Sequence, residues 1–535
     1  MPKSLKRIAL VVTFGTLLSK FGGLIRQLVI AGAFGVGPAY VAYNYAYVLP
    51  GFFLTLVGGI NGPLHNGMVT VLSRRNEKEG AYVLAVISNT IIVVLIPISI
   101  ILYLAADPLV SLIGPGLNPE IHLIATKQLQ VMAPMALLAG LIGLGFGSLN
   151  AREEFFIPSI APIISSFALI IGVGAWWISK GAEVDSVSIG IKGGLILAQA
   201  TLVGAFLQWI IQIPSLIKKG LFKFKFIWDL KHQGVKEVWR IIAPATLSSG
   251  MMQINVITDL FFASDILGAA AGLGYANFLV QAPLGLASNA LLIPLLPALS
   301  KLTKIEQRPQ LIQKIRQSLM LSSASMIALG SIFLALGDPI VGIIYGRGAF
   351  GPPAVNLVGG ILMVYGIGMP AYLGRDLLVR IFYALGDGKT PFKFSIAGIV
   401  LNIILDWVFV GGPTPWGDQI PINLGAQGLV LATVGVNILT CWVLLLKLDS
   451  KLGNLPIKKW CNDLVKLLFC GILSGILAWI INVTLILPDG VTWAFLKVFI
   501  ASFSSVIGFC FLGNYFKIKE VNEVIMIVKR KIISR

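Results

Sequence analysis

Thr16-Leu-Leu-Ser-Lys20-Phe-Gly-Gly-Leu-Ile-Arg26-Gln27 places two cations inside a run, Ile8 to Phe34, that otherwise reads as a membrane-crossing helix. A charge at bilayer depth costs about 3 kcal/mol on insertion scales. Lys20 and Arg26 are therefore functional candidates, and their sign points to an anionic ligand. Six residues correspond to about 600° of helical rotation, so the two lie roughly 120° apart. They can border one cavity without sharing a stripe. Gly22-Gly23 between them admits a close backbone, a ligand or a bend. Snorkelling or a buried ion pair would also account for the cations, although snorkelling is hard from mid-helix and acidic partners nearby are few.

The pattern around this helix repeats along the chain. The 535 residues are 56% hydrophobic and 12% charged, more apolar than a soluble domain of this size requires. Long uncharged runs predict an all-α polytopic membrane protein; a β-barrel would show short alternating segments. About fourteen spans are expected, near 7–34, 38–72, 81–106, 121–150, 155–179, 190–217, 236–263, 268–299, 313–337, 355–384, 392–411, 424–447, 464–487 and 491–516. Basic residues gather in the segments after even-numbered spans: Arg74, Arg75 and Lys78; Arg152; Lys218, Lys219, Lys223, Lys225 and Lys231; Lys301, Lys304 and Arg308; Lys389 and Lys393; Lys451, Lys458 and Lys459. The alternate loops are nearly free of them, apart from Lys180, Lys192 and Arg347. This asymmetry places both termini in the cytoplasm. It also explains the net charge of +18 without nucleic acid as a partner. The first apolar run is too long for a signal-peptide core, no small-residue cleavage site follows it, and it reads as a retained helix. Cys441, Cys461, Cys470 and Cys510 have neither metal-ligand spacing nor a disulfide pattern and read as small core residues.

An internal repeat organises the spans. Ser159-Ile-Ala-Pro-Ile-Ile164 echoes Ser395-Ile-Ala-Gly-Ile-Val400, Thr16-Leu-Leu-Ser19 echoes Thr246-Leu-Ser-Ser249, and Leu72-Ser73-Arg74 echoes Leu299-Ser300-Lys301. Their shared order predicts two six-helix lobes related by a parallel repeat, as in alternating-access transporters. The lobes would be 1–217 (spans 1–6) and 236–448 (spans 7–12), joined by a basic amphipathic linker at 218–235 that can lie on the cytoplasmic leaflet. Spans 13 and 14 at 449–516 fall outside the duplication, available for packing, dimerisation or a long lipid tail. A basic cytoplasmic tail, 517–535, follows.

Further polar residues interrupt the spans. Span 2 carries Asn44, then Pro50 and Gly58-Gly59-Ile-Asn61-Gly-Pro63-Leu-His65-Asn66, which predicts a bent helix lining a cavity. Span 8 matches it with Asn277, Gln281, Pro283, Asn289 and Pro294. Asn44, Asn61, Asn277 and Gln281 thus join Lys20, Arg26 and Gln27 as substrate-binding candidates. His65 reads as a hydrogen-bonded core residue. Asn402 and Asp406 share one face of span 11 at i, i+4, Asp259 lies in span 7, and Thr433 shares a face of span 12 with Asn437. Such oxygens suit a hard monovalent cation, Na⁺ or H⁺, and not Zn²⁺. Interhelical hydrogen bonding accounts for them equally well. Arg375, Asp376 and Arg380 on span 10 read as a structural group, with Asp376 and Arg380 an i, i+4 ion pair. No nucleotide loop, His-Glu-x-x-His motif or Ser-His-Asp order occurs, so an enzyme is not expected.

The chain resembles the MurJ/MviN family of lipid II flippases, within the multidrug/oligosaccharidyl-lipid/polysaccharide exporter superfamily. The resemblance is carried by Leu18-Ser-Lys-x-x-Gly23-x-x-Arg26, Phe34-Gly-x-Gly37, Leu49-Pro50, Leu149-Asn150 with Phe156-x-Pro158-x-x-Ala161-Pro162, Tyr275-Ala276 with Pro283-x-Gly285, Leu296-Pro297-x-Leu-Ser300, and Lys389-Thr-Pro391. It implies two lobes around a solvent-filled cavity in a bacterial inner membrane, with spans 13 and 14 forming an apolar groove. The implied activity moves undecaprenyl-pyrophosphate-linked peptidoglycan precursor to the outer leaflet, with membrane lipid and a cell-wall synthesis complex as the partners the resemblance implies. By the same resemblance, cavity arginines of span 1 fall on Lys20 and Arg26, and the acid that often follows falls on Gln27. Other charged family positions fall on Val41, Leu54 and Phe278, leaving this cavity less charged. A sodium site would use Asp259, Asn402, Asp406, the Leu429 carbonyl and Thr433; no other cofactor is implied. Export of another polyprenyl-linked saccharide or an amphipathic drug, or a non-transporting scaffold role, are the alternatives.

Overall fold

A computed structural model of the chain describes residues 5–59, 62–180, 187–221, 226–300, 307–411, 422–453, 455–523 and 525–526. Helices are the regular elements among them. The chain packs as two compact units, Met1–Ala271 with Arg347–Gly351, and Gly272–Gly346 with Pro352–Arg535.

The first unit contains α1 (Leu5–Phe34), α2 (Pro38–Phe53), α3 (Pro63–Leu72), α4 (Glu77–Leu104), α5 (Ala106–Ile113), α6 (Pro119–Met132), α7 (Met135–Ala151), α8 (Phe156–Lys180), α9 (Val187–Ile210), α10 (Ile213–Lys218) and α11 (Gln233–Ala263). Local chemistry sets their ends. Pro38, Pro63 and Pro119 open helices where a missing N–H costs nothing. Asn76 and Asn118 cap α4 and α6 by accepting from Glu79 N and Ile121 N at 2.9 Å. Gly35 ends α1 with φ +52°, and a side chain there would strike the Ala349 carbonyl. α1 lies along α8 through small residues: a Cβ on Gly15 would come within 2.6 Å of Ser159 Cβ, and one on Gly22 within 2.7 Å of Ile163.

The expected break in span 2 is present at the second of its two signals, Gly58 to Pro63, and not at Pro50. The helix continues through Pro50 and widens into a π turn at Leu54–Gly58 before α3 begins. Gly143 and Gly58 explain the site of the break. They let this turn approach the α7 backbone so closely that a Cβ on Gly143 would overlap the Val57 carbonyl. The single span expected at 121–150 is two helices, α6 and α7, bent by 43°, with Pro134 at the break.

The second unit holds α12 (Ala269–Ser300), α13 (Arg308–Tyr345), α14 (Pro352–Ala384), α15 (Lys389–Phe409), α16 (Gly425–Leu452), α17 (Ile457–Thr484) and α18 (Val491–Tyr515). α13 and α14 meet through facing glycines, Gly330 with Gly366 and Gly337 with the Gly359 carbonyl. A methyl at any of them would press into backbone. α13 departs from helical geometry at Leu336, a turn before Pro339. Arg316 on α13 donates to Asp463 on α17 and to Glu520 beyond α18, both at 2.7 Å. The Lys389-Thr-Pro391 motif begins α15: Asp387 accepts from Thr390 N at 3.0 Å, from its hydroxyl at 2.9 Å and from Lys451 Nζ at 2.9 Å. The Lys451 ammonium, with help from Thr390, holds the Asp387 carboxyl down to about 2.

Among the described residues, 11 helices are long and apolar enough to cross a membrane, or up to 12 if the bent pair is one span. The other two expected spans, 236–263 and 268–299, fall on α11 and α12, of 31 and 32 residues. Fourteen is thus an approximate count. Large apolar side chains stand exposed along the outer helices, including Phe499 and Phe503 on α18, as a lipid-facing surface requires. The four cysteines are free, and of these only Cys470 is fully buried.

Candidate functional site

The notch on α1 follows from its two adjacent glycines. Gly22 is spent on packing against α8, whereas a Cβ on Gly23 would meet nothing within 4 Å. Lys20, Gly23 and Arg26 are each three residues apart, so the glycine lies midway around the helix between the cations. Lys20 is exposed and Arg26 half-buried. Among the described residues neither makes a hydrogen bond or ion pair. The ion-pair reading of these two is therefore excluded there, and two charges border an open space.

Gln27 turns the other way. It is buried, and its Nε2 donates to the Tyr40 hydroxyl at 2.8 Å. That bond begins a feature not anticipated from the sequence. Tyr40, Tyr43 and Tyr47 stack along α2, with ring centroids 6.0 and 5.3 Å apart. Their i, i+3, i+7 spacing was the available signal. The Tyr43 hydroxyl shares a hydrogen bond with Thr201 on α9 at 3.0 Å. Asn44 donates its amide to the Tyr40 carbonyl at 2.7 Å and so braces this helix. Asn61 lies outside the described residues. Asn277 and Gln281 belong to the second unit, exposed on α12, where Gln281 donates to Asn277 at 3.3 Å.

Asn402 and Asp406 are brought together as their spacing predicts. Both are fully buried on α15, and Asn402 Nδ2 donates to Asp406 Oδ2 at 2.6 Å. α16 packs against α15 and carries Leu429, buried, and Thr433, half-buried. The Thr433 carbonyl accepts from Asn437 at 2.7 Å. Asp259 is on α11 of the first unit. No group of three or more His, Cys, Asp or Glu able to hold a metal occurs among the described residues, but the oxygen set on α15 and α16 suits a hard monovalent cation. One structural expectation is corrected. Asp376 and Arg380 form no ion pair among the described residues. Arg375 instead donates to Asn437 at 3.2 Å, drawn across by the amide on α16. His65 is a core residue, buried between Asn150 at 2.8 Å and Asn66 at 3.3 Å.

The second unit also contains an apolar cavity of about 410 Å³ between α13, α14 and α17. Leu334, Ile367, Pro370, Ile472, Ile476 and Trp479 line it, with Ser331 a rare polar contributor. Several of these side chains are exposed, so the cavity opens outward as a groove. α17 lines it together with α13 and α14. α18 packs behind, on α13 and α17.

A family model described as "Lipid II flippase MurJ" matches residues 30–499. A Synechocystis relative described as "Probable lipid II flippase MurJ" is 45% identical over 477 residues, covering 89% of this chain and 87% of its own length. A Burkholderia cenocepacia protein, "Lipid II flippase MurJ", is 28% identical over 492 residues, covering 89% and 90%. Among solved structures, "Lipid II flippase MurJ, inward closed conformation" aligns with a TM-score of 0.75 at 23% identity, covering 95% of this chain and 99% of that one. An inward-facing multidrug resistance MATE family transporter of the MOP superfamily aligns with a TM-score of 0.61 at 15% identity, covering 83% and 98%.

Proposed function

The chain belongs to the lipid II flippase MurJ family, and from that premise we propose how its residues divide the work. It is a multi-span membrane protein that moves a lipid-linked substrate across the bilayer. Lys20 and Arg26 receive the pyrophosphate of the headgroup. The observation that carries this is the pair of unpartnered cations beside the open space at Gly23. An anion entering there replaces lost hydration with charge-assisted contacts, and a guanidinium offers phosphate a two-pronged donor that lysine lacks. Asn44 and Gln27 brace the site through Tyr40. Asn61, Asn277 and Gln281 are further headgroup candidates.

The prenyl tail remains in an apolar environment, and the α13–α14–α17 groove is the surface suited to it. No covalent step is assigned. The headgroup crosses by alternating access, with spans 1–6 and 7–12 as the lobes, both termini cytoplasmic, and transport from inner to outer leaflet of a bacterial inner membrane. Na⁺ is the proposed coupling ion. Asn402, Asp406, the Leu429 carbonyl and Thr433 would hold it. The full burial of Asp406 supports the reading, because a carboxylate at that depth is costly and a cation would offset that cost.

The test is lipid II exposure on the outer leaflet in cells depleted of this protein and lacking another flippase. Exposure should collapse, and return with the wild-type chain but not with Asp406→Ala at low sodium. Full exposure without the protein would overturn the transport reading. Sodium-independent rescue by Asp406→Ala would overturn the coupling site alone.

A further inference from the structure

Arg375 on α14 bonds to an amide and not to an acid. Its Nη1 donates to Asn437 Oδ1 on α16 at 3.2 Å. An amide has one accepting end and one donating end, so this bond fixes which way Asn437 points. Asn437 Nδ2 then donates to the Thr433 carbonyl at 2.7 Å. That carbonyl already serves the helical ladder of α16, and the second donor takes its remaining lone pair. Thr433 is left with its hydroxyl. Thr90, Thr201, Thr258 and Thr484 bond their hydroxyls back to the carbonyl four residues earlier, at 2.7 to 3.0 Å. Thr433 makes no hydroxyl hydrogen bond among the described residues, so the Leu429 carbonyl is spared as well. α15 and α16 run antiparallel in a register that puts both oxygens beside the acid. A Cβ on Gly398 would come within 3.2 Å of Val436, one on Gly435 within 3.7 Å of Leu405, and one on Gly428 within 2.7 Å of the Phe409 carbonyl. Asn402 and Asp406 fall between these contacts on α15, as Leu429 and Thr433 do on α16.

We propose that Arg375 is a positioning residue for the sodium site: through Asn437 it holds the α16 turn from Leu429 to Thr433 in place for the cation. The inference rests on the sodium reading above. Ligands around a metal are aimed by the groups behind them, and losing one such group costs about 10–100-fold in affinity. The bridge is the last of three contacts along one face of α14. Gly368 admits Val434, the Ala371 carbonyl accepts from Cys441 Sγ at 3.3 Å, and Arg375 reaches Asn437. α14 is therefore the frame against which this turn of α16 is set. The amide between guanidinium and turn matters, because it passes on orientation in place of charge. A cation close to the site would by itself repel sodium. Removing Arg375 thus has two possible effects of opposite sign: loss of charge tightens sodium binding, and loss of the brace weakens it.

The experiment follows the melting temperature of the purified full chain in detergent as sodium chloride replaces choline chloride at constant ionic strength. Bound sodium stabilises the folded state, so the rise gives a half-saturating concentration. The wild type should respond and Asp406→Ala should not. A wild type indifferent to sodium, or an Asp406→Ala chain that responds as the wild type does, would overturn the sodium reading and the inference with it. Arg375→Met should raise the half-saturating concentration about tenfold, and Asn437→Leu should do the same. The double variant should match Asn437→Leu alone, since Arg375 acts through the amide. With the Asp406→Ala control behaving as expected, an unchanged or lowered concentration in Arg375→Met would overturn the role of Arg375, the lowered value marking an effect of charge. A lower melting temperature in choline with wild-type half-saturation would make the bridge a purely structural one. Additive effects in the double variant would overturn the route through Asn437. If Arg375→Met does not fold, Asn437→Leu decides the case by the same reading.

Discussion

Arg316 and Arg26 are opposite solutions to the same problem. Arg316, near the start of α13, lies between two carboxylates at 2.7 Å, one of them on a glutamate only 2% exposed. Arg26, in the middle of α1, has no carboxylate within ion-pair reach among the described residues. The chain has 23 acidic residues against 41 basic ones, so acids are scarce and their positions are informative. Two are placed around a cation that ties α13, α17 and the C-terminal segment together. None is placed beside the cation that faces open space. The first arrangement serves stability. The second leaves charge available to something that arrives from outside.

Arg26→Ala gives the largest expected effect and could break this contrast outright. Complementation of a flippase-deficient strain should be abolished while the purified variant melts as the wild type does. A variant that melts early and still complements would make Arg26 the structural residue. Arg316→Ala should do the reverse, costing about 2–4 kcal/mol because Glu520 is left as a buried, uncompensated charge. Denaturant unfolding in detergent measures this, and adding Glu520→Gln should recover part of the loss. No loss of stability would remove the distinction from its other side. Asp387 sharpens the comparison at the smallest scale. Its carboxyl is held near 2, below its unfolded value, so its stabilising contribution is present above about pH 4 and lost as pH falls toward 2. Acidification across that window should speed amide exchange at the start of α15, residues 386–391, of the wild type. Lys451→Ala should shift the onset of this loosening upward; identical profiles would remove Lys451 as the cause.

What the sequence disclosed depended on how far apart the partners lie. Asn402 and Asp406 share one helical face, and four residues suffice to infer their contact. The notch at Lys20, Gly23 and Arg26 was equally local. The clasp on Arg316 was invisible because its acids are 147 and 204 residues away. Span 2 shows an intermediate case. Proline and glycine announced a break and Gly58 marks where it falls, but the close approach to Gly143 on another helix, which gives the π turn room, was not legible. On α14 the i, i+4 spacing of Asp376 and Arg380 misled, while the bond that Arg375 makes is to Asn437, 62 residues away on α16. The tyrosine column carried a legible spacing, but its ties to Gln27 and Thr201, 13 and 158 residues away, did not show in the sequence.

The groove of the second unit owes its width to side chains that are missing. Gly330 and Gly366 set α13 against α14, and Gly471 and Gly475 set α17 against α13. At these positions a single methyl acts as a wedge, whereas Ile367, Ile472 and Ile476 can be exchanged for apolar residues of similar bulk. Selection on the two groups should therefore be unequal, one side fixed in size and the other free in identity. A groove shaped in that way is set by its width, and so by the thickness of what can lie in it.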